Sequence, residues 1–234
     1  IAKERYLSAE WESIYEITSD FLENKCSNKY FPKIACFGIA GPIEKNNAKI
    51  TNLNWEISAL KLKNYFQFET VELINDFAVL IYGIPFLKSN QFKTLQNKTN
   101  KNINFEGYHT IVGAGTGLGI SRGIVSKEKI FILPSEGGHI EFAPKTTEEW
   151  ELKQWLKNHL NIERVSCERI ISGEGLLNIA KWKFSKEDNR YHPFNHYLVE
   201  ARESKIIEKT LAGKICQLAK DGDPLMAEIE TLWF

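Results

Sequence analysis

The 234-residue chain is 43% hydrophobic, long enough for one large domain or two modest ones. Thirty acidic residues balance thirty basic ones, and Lys and Arg are scattered along the chain, so neither nucleic acid nor an anionic membrane is an expected partner. No apolar run approaches the roughly 18–20 residues that span a bilayer, and no signal peptide is read, so a cytoplasmic protein is expected.

Ser8 opens a predicted amphipathic helix that runs to about Glu23, with Trp11, Ile14, Tyr15, Thr18, Phe21 and Leu22 on one face. Ile34 to Ala40 is a short apolar run stopped by Gly41-Pro42, the pattern of a strand buried on both faces. A shorter strand over Ala48 to Thr51 and a helix over about Ile57–Phe66 follow. Val71 to Ile74 predicts another strand, ending at Asn75-Asp76, and apolar residues continue with helical character to Ile84-Pro85. Ser89 to Asn104, rich in Asn, Lys, Gln and Thr, reads as a surface excursion or interdomain link.

His109 to Val112 then leads into a glycine-rich turn, and Ile120–Val125 and Lys129–Leu133 read as paired strands. From Thr147 the pattern is mostly helical, with Leu152, Trp155, Leu156, His159 and Leu160 on one face. Later helices cover about Gly175–Trp182, Lys205–Lys220 and Pro224–Phe234. Strands separated by helices in the first part predict an α/β layered sheet. Cys26, Cys36, Cys167 and Cys216 form no CxxC pair and lie near no spaced His, so they read as reduced thiols and not as zinc ligands. The chain starts at Ile1 and stops at Trp233-Phe234 within an amphipathic pattern, so both ends are expected to be cut.

Four short segments carry chemistry. Gly113-Ala114-Gly115-Thr116-Gly117-Leu118-Gly119 follows a predicted strand, and its alternating glycines let the backbone turn sharply and bring N–H groups to an anion. Leu118 stands where the dinucleotide fingerprint has its third Gly, and no Lys-Ser or Lys-Thr follows as in a Walker A loop. The segment is therefore either a phosphate cradle of another type or a tight hairpin turn.

Asn75-Asp76 lies just past a strand, where a carboxylate is placed to act as a base or to cap the next helix. Glu136-Gly137-Gly138-His139 offers an acceptor and a switchable donor to a polyol, or is a solvent-facing turn. Glu168-Arg169, with Gly173 and Gly175 beyond, is either part of a site or an exposed pair before a helix.

Taken together and in this order, these segments resemble the bacterial glucokinase family. The resemblance rests on Leu73-Ile74-Asn75-Asp76-Phe77, the Gly113–Gly119 run, Glu136-Gly137-Gly138-His139, Phe142-Ala143-Pro144 and Glu168-Arg169 through Ser172-Gly173, and it weakens after about Lys183. It implies an α/β, two-domain actin-like ATPase (ribonuclease H-like) fold of the hexokinase–actin–Hsp70 superfamily. A small domain, residues 1–86, and a large domain, residues 87–234, would close around a cleft, the small one lacking its first strands and the large one its C-terminal part. The Ile-Glu-Phe-Ala-Pro run directly after His139 contains no cysteine, which favours the branch without the zinc motif.

The resemblance further implies ATP-dependent phosphorylation of glucose at its 6-hydroxyl, with Asp76 as general base. Asn75, Asp76, Glu136, His139 and Glu168 would bind the sugar. Gly113, Gly115, Thr116 and Gly117 would contact the ATP phosphates, Mg²⁺ would accompany the nucleotide, and the intact parent would be a homodimer. The family's opening Asp-x-Gly-Gly-Thr loop and its late Gly-Gly segment find no match here. A non-catalytic sugar-binding fragment, a regulator, or a kinase for another hexose or phosphoryl donor stands as the alternative.

Overall fold

The structure is a computed structural model that describes residues 2–26, 31–50, 53–95, 105–133, 135–189, 191–200 and 205–233. Two compact units emerge, one of residues 1–108 with 124–132 and the other of residues 109–123 with 133–234.

In the first unit, helix α1 (Ile14–Lys25) starts later than expected, because Ser13 and not Ser8 caps it by accepting the Glu16 N–H at 3.4 Å. Ser8–Glu10 is instead a single 3-10 turn. Strand β1 (Ile34–Ile39) pairs in parallel with β5 (Thr70–Asn75), in register from Ile34 with Thr70 to Ile39 with Asn75. Burial on both faces, expected for β1, does not hold. Its residues alternate, Ala35, Phe37 and Ile39 facing the core while Ile34 remains 69% exposed.

Strands β2 (Ile43–Glu44), β3 (Asn47–Ile50) and β4 (Trp55–Ser58) form a separate antiparallel sheet. β4 occupies the start of the helix expected from Ile57, so α2 begins only at Ala59 and runs to Phe66. Trp55 and Ile57 alternate inward along β4, a two-residue period that the sequence reading absorbed into the helix. Leu62 and Phe66 of α2 complete the core with Ile57, Val71 and Leu73. Helix α3 (Ala78–Gly83) follows β5, and a 3-10 turn over Ile84–Phe86 closes it.

The β2–β3 hairpin turns on Lys45 and Asn46, both at positive φ, the signature of a two-residue primed turn. Asn46 also docks the hairpin. Its Oδ1 accepts the Leu73 N–H at 2.9 Å, its Nδ2 donates to the Val71 carbonyl at 3.3 Å, and its own carbonyl accepts the Ala59 N–H. One amide side chain thereby pairs with the edge of β5 as a strand would. Of the polar stretch from Ser89, only a 3-10 turn at Ser89–Gln91 lies in regular structure, and residues 96–104 fall outside the described residues.

Strands β6 (Gly107–Ala114), β7 (Leu118–Val125) and β8 (Ile130–Leu133) form a three-stranded sheet in that order. The longer elements that follow in the second unit are helices: α4 (Thr147–Leu160), α5 (Gly173–Ser185), α6 (Asn195–Glu200), α7 (Lys205–Lys220) and α8 (Pro224–Trp233). Thr146 and Glu149 form a capping box on α4. α6 was not anticipated, being too short to display a helical period.

α5 is the central helix, burying Leu176, Leu177, Ile179, Ala180, Trp182 and Phe184 against α4, α7 and α8. Lys183 is buried with them, its ammonium 2.7 Å from Glu148 and 3.1 Å from Glu228. Burial pulls its pKa down, but the bonds to both carboxylates outweigh that and the net shift is upward. Among the described residues no helix is long and apolar enough to cross a membrane.

Asn46→Ala is expected to lower stability by about 2 kcal/mol, through two lost hydrogen bonds and an alanine held at positive φ. Asn46→Gly, free of the φ penalty, should lose less. Urea unfolding midpoints measure both, and an unchanged midpoint in Asn46→Ala would contradict the docking role.

Candidate active site

The first unit supplies Asn75 and Asp76, at the carboxyl end of the parallel β1–β5 pair. Asn75 is the last residue of β5 and caps α3: its Oδ1 accepts the Phe77 and Ala78 N–H groups at 3.0 and 3.1 Å. Its Nδ2 donates to the Gly41 carbonyl at 3.2 Å, tying in the end of β1. The capping role therefore belongs to Asn75. Asp76 is exposed, its N–H bonded to the Ile39 carbonyl at 3.0 Å and its Oδ1 accepting the Phe77 N–H at 3.0 Å. Among the described residues its other carboxylate oxygen has no hydrogen-bond partner.

The second unit brings Glu136, His139 and Glu168 together. Gly137–His139 is a 3-10 turn, and His139 lies with Nε2 3.7 Å from Glu136 Oε2 and Nδ1 3.7 Å from Glu168 Oε1. These separations exceed a direct hydrogen bond, so the three groups form a spaced row of acceptor, switchable ring and acceptor. Glu136 and His139 are exposed and Glu168 is half-buried.

The backbone beneath this row is pinned. Arg164 Nη1 donates to the His139 carbonyl at 2.7 Å, the Cys167 N–H to the Ile140 carbonyl at 2.8 Å, and the Phe142 N–H to the Val165 carbonyl at 2.8 Å. Gly138 is buried so close to β7 that a Cβ there would stand 2.1 Å from the Leu118 carbonyl oxygen, so no other residue fits.

The glycine turn, residues 115–117, joins β6 to β7. Gly113 lies within β6. The Gly115 N–H donates to the Gly117 carbonyl at 2.8 Å, which closes the turn. Among the described residues the Thr116 and Gly117 amides and the exposed Thr116 hydroxyl have no protein acceptor. Those three donors are what the turn can offer an oxyanion.

Two bonds from the Glu168–Gly173 segment hold it: the Leu118 N–H donates to Glu168 Oε2 at 2.9 Å, and the Gly173 N–H to the Gly115 carbonyl at 2.8 Å. Ser172, fully buried, anchors that segment. Its hydroxyl donates to the Glu168 carbonyl at 2.7 Å and accepts the Gly175 N–H at 2.9 Å as the cap of α5. Sequence reasoning missed this clamp, although Ser172 ahead of a helical pattern is a readable cap signal.

A family model described as glucokinase matches residues 1–229. The chain belongs to the glucokinase family. It is 38% identical over 191 residues to a glucokinase of Nostoc punctiforme, covering 80% of this chain and 54% of that protein. The chain spans about half the length of the curated relatives it matches.

Among solved structures, a glucokinase from an Antarctic psychrotroph matches with a TM-score of 0.63 at 27% identity, over 97% of this chain and 70% of the other. A Balamuthia mandrillaris glucokinase solved in complex with glucose matches with a TM-score of 0.62 at 22% identity, over 85% of this chain and 56% of the other, which bears on the fold alone. The α/β actin-like kinase fold expected from the sequence is therefore the fold of this glucokinase-family chain.

Asn75→Ala should cost about 1–2 kcal/mol, since it uncaps α3 and releases Gly41. Asp76→Ala, at an exposed position, should stay within about 0.5 kcal/mol. Chemical denaturation of the two variants measures the contrast, and equal destabilisation would contradict the division of roles.

Proposed function

We propose that the intact protein transfers the γ-phosphoryl group of ATP to the 6-hydroxyl of glucose, giving glucose 6-phosphate and ADP. The observation that carries this reading is the row of Glu136, His139 and Glu168, with His139 3.7 Å from each carboxylate and Glu168 bonded into the glycine turn. A pyranose presents adjacent hydroxyls that each need a donor and an acceptor, and alternating carboxylates with one imidazole meet that need. Asn75 contributes through the N–H of its amide that Gly41 does not occupy.

Asp76 acts as the base. Its carboxylate takes the proton of the 6-hydroxyl as that oxygen bonds to the γ-phosphorus, and the bond from that phosphorus to the bridging oxygen breaks, its electrons leaving with ADP. Thr116 and Gly117 offer the phosphates two amides and a hydroxyl. Gly115 serves by shaping the turn, and Gly113 lies in the strand that leads into it.

Phosphoryl transfer from ATP uses Mg²⁺ to neutralise the phosphate charge. Among the described residues no group of three or more His, Cys, Asp or Glu is arranged to hold a metal ion, so these residues do not form a magnesium cage and no step here runs through the ion. The same reading divides the chain at residues 86 and 87 into a small and a large domain. It also takes the intact protein to be a cytoplasmic homodimer without nucleic-acid or membrane partners, consistent with the balanced charge.

Asp76→Asn in the full-length protein carrying this chain should lower kcat by at least about a hundredfold, with the KM for glucose nearly unchanged. A coupled assay for glucose 6-phosphate measures it, and a kcat near wild type would remove Asp76 as the base.

A further inference from the structure

We infer that Glu168 has a second role, as the residue that positions the glycine turn for the phosphoryl donor. This inference rests on the sugar-kinase reading above and adds to it a coupling between the two ligands.

The Gly117–Leu118 peptide group is held at both ends. Its carbonyl accepts the Gly115 N–H at 2.8 Å, and its N–H donates to Glu168 Oε2 at 2.9 Å. The preceding amide, that of Gly117, is one of the turn's available donors, so fixing this peptide fixes the direction in which the turn presents itself to phosphate. The carboxylate lies directly on the turn: a Cβ at Gly117 would stand 2.5 Å from Glu168 Oε2, so glycine is needed for the contact to form.

The two oxygens of Glu168 are divided between tasks. Oε2 is bonded to the Leu118 N–H, while Oε1 faces His139 Nδ1 at 3.7 Å and is the one left for a sugar hydroxyl. Ser172 Oγ fixes the Glu168 backbone through its carbonyl at 2.7 Å, so the side chain reaches the turn from a rigid base. A sugar that orders Oε1 therefore also orders the group that sets the turn, and sugar and nucleotide bind with positive coupling, each by the same factor.

The test is calorimetric titration of ATP into the full-length protein with glucose absent, so that loss of sugar binding cannot account for the result. Glu168→Ala should raise the nucleotide Kd roughly tenfold, the loss expected for one hydrogen bond to a charged acceptor. Glu168→Gln keeps an oxygen for the Leu118 N–H, and should hold the nucleotide Kd within about twofold while the KM for glucose rises. Should Glu168→Ala fail to fold, Gly117→Ala displaces the carboxylate sterically and should raise the nucleotide Kd likewise.

A nucleotide Kd unchanged in Glu168→Ala, or in Gly117→Ala where that variant replaces it, would overturn the positioning role, as would equal losses in the Ala and Gln variants of Glu168. Failure of the wild type to bind nucleotide would overturn it too. A wild type that binds nucleotide but does not phosphorylate glucose would refute the sugar-kinase reading, while the Ala-to-Gln split would still decide the positioning role.

Discussion

The second unit depends on a hydrogen-bonded clamp around one tight turn. In the turn of Gly115, Thr116 and Gly117 the one side chain beyond hydrogen is that of Thr116, exposed at the surface, and an unrestrained glycine backbone loses more entropy on ordering than any other. Here the ordering comes from outside the turn, through the Glu168 carboxylate on the Leu118 N–H and the Gly173 N–H on the Gly115 carbonyl. Ser172 makes the clamp rigid by joining the Glu168 carbonyl to the first turn of α5, a helix with most of its residues buried. The site thus inherits its precision from the helical core beneath it.

The first unit solves a similar problem with amides. At the carboxyl end of a parallel strand pair, backbone groups run out of ladder partners. Asn75 supplies the partners for α3 and for Gly41, and Asn46 does the same along the edge of β5. With these bonds assigned to neutral amides, the carboxylate of Asp76 keeps one oxygen free of structural duty. An anionic residue can then face solvent or substrate without weakening the strand end that carries it.

Much of this was legible in the sequence, and the failures share a physical cause. The apolar runs marked β1, β5 and β6, and the order of the charged and glycine-rich segments gave the family. Local sequence does not report what packs on a strand, so the one-sided burial of β1, with Ile34 exposed, could not be read from its continuous apolar run. β4 is four residues long and runs straight into α2, so its two-residue period was lost within the helical pattern. The choice between Asn75 and Asp76 as cap, and the bond from Glu168 to Leu118 fifty residues away, are decided by tertiary geometry alone.

The proposed chemistry is phosphorylation of a hexose with a single carboxylate, that of Asp76, as base. The most direct measurement is product analysis by phosphorus NMR, with the full-length protein carrying this chain supplied with ATP and glucose. Glucose 6-phosphate and ADP appearing in equal amounts is the predicted result. Phosphate release without a sugar ester, or a phosphate ester on a hydroxyl other than the sixth, would contradict it.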